Sequence, residues 1–346
     1  MINIILPAAA ARQFVPRDWR AAVPRAAVGM LLYRARWTAD ASSTKFRPMT
    51  DAAPTDRQDG PPLVSVVLPC FNAHRHLRQT LDSVRAQTFR DFEIIVVDDG
   101  SNDPETLAFL DSVGDDVRLI RQRNYGLPAA RNTAFRHARG TYVLPLDCDD
   151  WLEPTFLERA IAKIRTMPLR SFVFSHLSLC GDMSGTVEKE YNHFEQLFLN
   201  QLPYCLLLPK AVWRELGGYD ESMRRGYEDW EFNIRLGRHG VVGAPLREPL
   251  FHYRVSQTGM LKAVSGPRHG TLWRDIQKKN PNAYRLRGLV ASWLAWREKP
   301  STYYLGLYFF WLALHRVLPK PLFAKLFQRL MPYSHSARVS RKAMVG

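Results

Sequence analysis

From Leu63 onward the chain alternates short β-branched runs with amphipathic stretches. Val64-Ser65-Val66-Val67-Leu68, Glu93-Ile94-Ile95-Val96-Val97, Val117-Arg118-Leu119-Ile120 and Tyr142-Val143-Leu144-Pro145-Leu146 each read as a strand. Their near-continuous apolar character predicts burial on both faces, as in a parallel sheet. Between them, Leu77, Leu81 and Val84 are spaced for one face of a helix over residues 75–87. Residues 104–112 and 128–138 read as two further helices. This βαβαβαβ order predicts a mostly parallel sheet with right-handed crossovers. After Pro154 the pattern loosens. It offers a strand at Phe172-Val173-Phe174, a strand-to-helix passage over 203–216, a helix from Glu228 to before Gly240, and a last strand from Leu250 to Val255.

Two of the strands run into acid. The second ends in Asp98-Asp99-Gly100-Ser101 and the fourth in Asp147-Cys148-Asp149-Asp150. Carboxylates crowded at the carboxyl ends of strands repel one another unless something positive sits there. In open α/β sheets that edge is where ligands bind. An Asp-x-Asp pair on a strand-end turn offers hard oxygen ligands to Mg²⁺ or Mn²⁺, which share their coordination with substrate phosphates. The expectation is a cleft where a divalent cation and a diphosphate neutralise Asp147 and Asp149, with neither carboxylate tied up by an arginine. The plainer alternatives are that these aspartates cap the helix after Trp151, and that Asp98-Asp99-Gly100 is only a tight turn.

Charge changes this picture at the ends only. The net charge is +15, yet residues 1–60 hold nine Lys/Arg against five Asp/Glu, and residues 283–346 hold eleven Lys/Arg against one Glu. The stretch between them is almost neutral, which argues against a nucleic-acid binder, where basic residues cover the working surface. The four cysteines show no Cys-x-x-Cys spacing and read as reduced core thiols. The first residues lack the basic n-region of a secretion signal. Residues 1–60 read as an appendage and Pro-rich linker, 61–256 as the catalytic domain, and 257–346 as a helical, basic and aromatic extension.

Six motifs follow in order: Val64 to Asn72 with Pro69-Cys70-Phe71-Asn72 at its end, Gln87-Thr88-Phe89, Asp98-Asp99-Gly100-Ser101, Asn124 to Asn132, Asp147-Cys148-Asp149-Asp150 and Glu228-Asp229-Trp230. Together they resemble a GT-A fold glycosyltransferase of the family 2 type over roughly residues 63–256. The resemblance implies a metal-dependent, inverting transfer of a sugar from a nucleoside-diphosphate donor to an acceptor hydroxyl, in polysaccharide or glycolipid synthesis. It implies Asp149 as the metal ligand, with Asp147 facing the ribose and the metal. Pro69, Asn72, Asp98, Asp99 and Ser101 would line the nucleotide cleft, and Arg131 would reach a phosphate or sugar hydroxyl. Glu228-Asp229 matches the signature whose Asp serves as general base; an alcohol-like hydroxyl needs such a carboxylate within hydrogen-bond reach. An Asp at a helix amino terminus would stay ionised in the dipole field. His252 is placed near where relatives carry a metal- or phosphate-contacting His, although many have it further on, where this chain has Ser256. His74 and His76 read as a helix start rather than a metal pair.

Two other classes compete. A nucleotidyltransferase of similar architecture would want a Gly-rich, basic phosphate loop after the first strand, and Pro69-Cys70-Phe71-Asn72 is not one. A non-catalytic membrane or nucleic-acid binder would account for the basic ends but for none of the motifs.

The carboxy-terminal tail has its own pattern. No residue from Pro300 to Leu314 is charged, and Tyr303, Tyr304, Tyr308, Phe309, Phe310 and Trp311 crowd it. That run is short of the ~20 residues a spanning helix needs. Leu318, Leu322, Leu326 and Leu330 follow on one stripe flanked by Lys320, Lys325 and Arg329. This fits either an anionic membrane surface, with a cytoplasmic protein held on the inner face of the plasma membrane, or a helical pair packed back on the domain.

Overall fold

The protein is described here by a computed structural model covering residues 60–256, 258–299 and 304–335. Apart from Gly60, the reading of residues 1–60 as appendage and linker falls outside the described residues, as does the stretch Pro300 to Tyr303.

The first half follows the apolar pattern closely. Strand β1 (Val64–Cys70) is buried at all seven positions and leads into α1 (His74–Arg85), which turns Leu77, Thr80, Leu81 and Val84 inward. β2 (Phe92–Asp98) is followed by α2 (Pro104–Asp111), whose amino terminus is capped by the Asp103 carboxylate accepting from the Thr106 amide at 2.9 Å. β3 (Val117–Arg121), α3 (Leu127–His137) and β4 (Tyr142–Pro145) complete the alternation.

Beyond it come β5 (Trp151–Leu152), α4 (Phe156–Arg165), β6 (Ser171–Gly181), β7 (Gly185–Val187), α5 (His193–Gln196), β8 (Leu208–Pro209) and α6 (Lys210–Glu215). α7 (Glu228–Arg238) and β9 (Val242–Val255) follow, then a π turn, a 3-10 turn and α8 (His269–Lys279). The last described elements are α9 (Pro281–Tyr284), α10 (Leu286–Trp296), α11 (Leu305–Val317) and α12 (Lys320–His335).

The main sheet has the order β3-β2-β1-β4-β8, parallel except for β8. The chain steps outward from β1 to β2 and β3, then crosses back to lay β4 on the other side of β1. This reversal opens a crevice beyond the carboxyl ends of β1 and β4. A second sheet, β5-β9-β6-β7, runs beside it, with β6 and β9 parallel. The last strand therefore begins eight residues before the expected Leu250, because its first half pairs with β6.

Apolar clusters cover both faces of the main sheet, one involving α1 and α4, the other α3 and α7. A third forms where the carboxy-terminal helices meet α7: Trp230, Ile234, Trp273, Ile276, Trp311, Leu312 and Phe323 are all buried there. The tail thus packs back on the domain. The leucine stripe is split, with Leu322 and Leu330 exposed and Leu326 half-buried against the cluster. Among the described residues no helix is long and apolar enough to cross a membrane.

Candidate active site

Two cavities meet at the carboxyl edge of the main sheet. The larger, about 810 Å³, is lined by Pro69, Asn72, Asp99, Asp147, Asp149 and Arg224 among others. The smaller, about 370 Å³, is lined by Arg131, Tyr204, Tyr227, Glu228, Asp229 and Tyr253 among others. Leu127, Asp147 and Met260 belong to both walls, so Asp147 stands where the two spaces adjoin.

The strand ends are stapled before any ligand arrives. Asn72 adopts a left-handed backbone (φ 50°), and its side-chain oxygen accepts from the amides of Asn102 and Asp103 at 3.0 and 3.1 Å. Its own amide donates to the Ser101 hydroxyl at 3.0 Å. Asp98 is buried and accepts from the Ser101 amide at 2.9 Å, with Arg121 3.8 Å away. The Asp99 carboxylate accepts from the Gln122 side chain and from the amides of Tyr125 and Gly126, at 2.7 to 2.9 Å. Asp98 and Asp99 are therefore hydrogen-bonded by donors of the protein itself. Of these four, Asn72 and Asp99 line the larger cavity, while Asp98 and Ser101 do not. Pro69 also lines it, its carbonyl accepting from the Cys148 thiol at 3.1 Å.

By fixing residues 122–126, Asp99 aims α3, and α3 delivers Arg131. Arg131 is 1% exposed, its guanidinium donating to both Asp147 oxygens at 2.7 and 2.9 Å and to Glu228 at 2.6 Å. It lies over the rings of Tyr204 and Tyr219, 4.9 and 5.6 Å from their centroids. This corrects two expectations. Arg131 is not held free for a phosphate, and Asp147 is neutralised by an arginine rather than awaiting a cation. The cause is that α3 and α7 close over the end of β4, leaving Asp147 and Glu228 to share one buried positive charge.

The remaining acids of the fourth strand end divide sharply. Asp150 is buried, its carboxylate accepting from the Arg254 amide at 2.7 Å and from the Tyr204 hydroxyl at 2.5 Å. Burial pushes its pKa well up, and the neighbouring charges of Asp149 and Asp147 add to this. It caps no helix; α4 is preceded by Thr155, which makes no side-chain cap. Among the described residues the carboxylate of Asp149 has no ion pair and no side-chain hydrogen-bond partner. The residue is exposed by area, yet its carboxyl loses enough hydration in the cleft wall, beside the Asp147 charge, to rise to about 6. An acid in that state gains from a cation.

At the other cavity, Tyr227 turns the chain left-handed (φ 68°) just ahead of α7, and the first turn of α7 presents Glu228 and Asp229. Asp229 accepts from the Asn200 side chain at 2.8 Å. Its pKa is raised, because burial outweighs the favourable charge of Arg131 and the Asn200 bond. The helix dipole expected to keep it ionised is thus not the dominant influence. Burial likewise raises Glu228, to about 7, against the opposing Arg131 charge.

His252 is not brought to this edge. It sits on β9 opposite Trp151, its ring stacked on the indole at 4.7 Å and its Nε2 2.6 Å from Glu153. It lines neither cavity. The β5–β9 pairing turns it onto the strand pair instead. His74 starts α1 and is held by Asp103 and Glu105 at 2.7 and 2.8 Å, in line with its reading as a helix start. Among the described residues no group of three or more His, Cys, Asp or Glu is arranged to hold a metal ion.

Three site residues carried no signal in the sequence. Tyr204 joins the acidic strand end together, accepting from the Asp147 amide at 2.9 Å while donating to Asp150. Asn200 orients Asp229, and Lys189 lines the smaller cavity. All three lie in the irregular stretch between β7 and β8, where neither spacing nor motif marks them.

The geometry can be set beside known proteins. Residues 65–206 match the family described as "Glycosyl transferase family 2". "Glycosyltransferase GlyA" of Streptococcus pneumoniae is 39% identical over 228 residues, covering 58% of this chain and 32% of that protein. "Chondroitin synthase" of Escherichia coli is 39% identical over 227 residues, covering 63% of this chain and 31% of that protein. The chain thus spans about a third of the length of both. The crystal structure of S. aureus TarS 1-349 in complex with UDP-GlcNAc superposes with a TM-score of 0.53 at 19% identity, over 64% of this chain and 67% of that one. At that identity the likeness establishes the shared fold.

Proposed function

From the family 2 glycosyl transferase segment that the chain carries at residues 65–206 on a GT-A fold, we propose that it moves a sugar from a nucleoside-diphosphate donor to an acceptor hydroxyl. The larger cavity takes the donor and the smaller one the acceptor. One observation carries this reading: the two cavities share Asp147 as a wall, with Asp149 on the donor side and Asp229 on the other. A leaving diphosphate and a base on opposite sides of the sugar are what a single inverting displacement requires. UDP-sugars are the donors to try first, since S. aureus TarS is seen with UDP-GlcNAc and with UDP. The acceptor is a growing polysaccharide or a glycolipid.

Asp229 takes the proton of the attacking hydroxyl, and Asn200 holds its carboxylate in place. Arg131 keeps Asp147 and Glu228 fixed in relation to each other, so the donor and acceptor sides stay in register. Asp149 is the carboxylate that would hold a divalent Mg²⁺ or Mn²⁺, since Asp147 is occupied by Arg131 and His252 sits on its strand pair. Bound there, the ion would take up charge as the diphosphate departs. One protein carboxylate is enough for such a cation, because the donor's phosphates complete its shell.

We further propose that the outer face of the tail rests on an anionic membrane surface. Tyr304, Phe310, Val317 and Leu322 remain exposed there, with Lys325 and Arg329 nearby. The test of the main reading is a panel of nucleotide sugars, scored for thermal stabilisation and donor hydrolysis with Mn²⁺ and with chelator. Stabilisation by at least one nucleoside-diphosphate sugar, lost on chelation, is the expected result. Indifference to every donor refutes it.

A further inference from the structure

Lys189 lies two residues beyond β7 and lines the smaller cavity together with Asp229. Of the two cations in that wall, Arg131 is consumed by Asp147 and Glu228. The Lys189 ammonium has no hydrogen bond or ion pair among the described residues. It is near enough for the Asp229 charge to act on it, yet outside ion-pair contact with that carboxylate. Lys189 is only half-buried by area, yet the cavity wall strips enough hydration from its ammonium to lower its pKa to about 8.

The cavity therefore holds an unpaired ammonium and a base with room between them, walled by Tyr204, Tyr227, Trp230 and Tyr253. Aromatic walls suit the faces of a sugar ring. Resting on the glycosyl-transfer reading above, we propose that Lys189 is a specificity-determining residue that binds an anionic substituent, carboxylate or phosphate, on the acceptor. A neutral acceptor would exclude water from the ammonium and return no counter-charge, which is costly for an ion that binding buries. An anionic one brings its own counter-charge and orients the ring so that a neighbouring hydroxyl meets Asp229. The charge is read as a difference between acceptors, so it sets selectivity.

The experiment compares p-nitrophenyl β-glucuronide, p-nitrophenyl β-glucoside 6-phosphate and the neutral p-nitrophenyl β-glucoside as acceptors for wild type, Lys189→Met and Lys189→Arg. Wild type should favour one anionic probe over the neutral one by at least ~10-fold in kcat/KM, the scale of one desolvated charge contact. The two anionic arms decide between carboxylate and phosphate. Lys189→Met should collapse that ratio toward one, and Lys189→Arg should keep most of it. Three results overturn the proposal: a wild-type preference for the neutral probe, an unchanged ratio in Lys189→Met, or an equal loss with all three probes. The last would mean that Lys189 serves only to balance Asp229. Should Lys189→Met fail to fold, Lys189→Gln and Lys189→Arg carry the same ratio. If wild type turns over no donor at all, the transfer reading has failed. Thermal stabilisation by the glucuronide or phosphate probe over the glucoside then still decides the role of Lys189.

Discussion

Replacing Arg131 by methionine is the sharpest perturbation available. Arg131 is 1% exposed, and its guanidinium makes three charged hydrogen bonds, two to Asp147 and one to Glu228, at 2.6 to 2.9 Å. Methionine keeps much of the volume and removes the charge. Glu228 is then left buried and unpaired, and Asp147 faces Asp149 without a counter-ion. Breaking a buried pair by removing one partner costs about 3–5 kcal/mol. Spread over a domain of this size, that lowers Tm by roughly 10 °C. Urea unfolding followed by circular dichroism gives the free energy. The double variant Arg131→Met/Glu228→Gln removes the stranded charge as well. It should recover about 0.5–3 kcal/mol, the range seen for residues in one charged network. Turnover should fall in both variants, because Asp147 loses its anchor in either. The outcome that would falsify the reasoning is a single variant within about 1 kcal/mol of wild type, or a double variant whose loss is the plain sum of the two singles.

Four further outcomes follow from the same geometry. Asp229→Asn should cut kcat by at least ~10² with donor binding retained, the usual scale for losing a positioned base; a near-wild-type rate sinks its role. Asp149→Asn should abolish the response of donor affinity to Mn²⁺ in calorimetry, whereas Asp150→Ala should keep that response and lose about 1–3 kcal/mol of stability, having stranded the Arg254 amide and Tyr204 hydroxyl. Burial raises both Asp229 and Glu228, and a base must be deprotonated to act. The acid limb of kcat/KM should therefore lie above the ordinary carboxylate range of ~4, activity falling as pH drops; a flat profile down to that range speaks against Asp229. Phe310→Glu/Leu322→Glu should reduce pelleting with anionic liposomes, and unchanged pelleting ends the membrane proposal. Ending the chain near Pro281 is the poorer test, because it would strip Trp311 and Phe323 from a buried cluster.

The sequence by itself determined the parallel sheet and the strand edge at which the candidate site was sought. Runs such as Val64 to Leu68 and Glu93 to Val97 are apolar enough to be read as two-faced strands, and strand order alone puts Asp98 and Asp147 at one edge. The order of the motifs identified the fold. What it left open was the partner of each charge. Arg131 and Asp147 are sixteen residues apart, and Arg131 and Glu228 ninety-seven. No local pattern reveals that one guanidinium serves both, or that Tyr204 clasps Asp150. Nor could spacing tell that His252 would face Glu153 or that Trp311 would bury itself against Trp273 and Phe323. Strand and helix periodicity is short-ranged and survives in the letters. The pairing of buried charges is settled only when distant segments desolvate each other, and that happens in the folded chain.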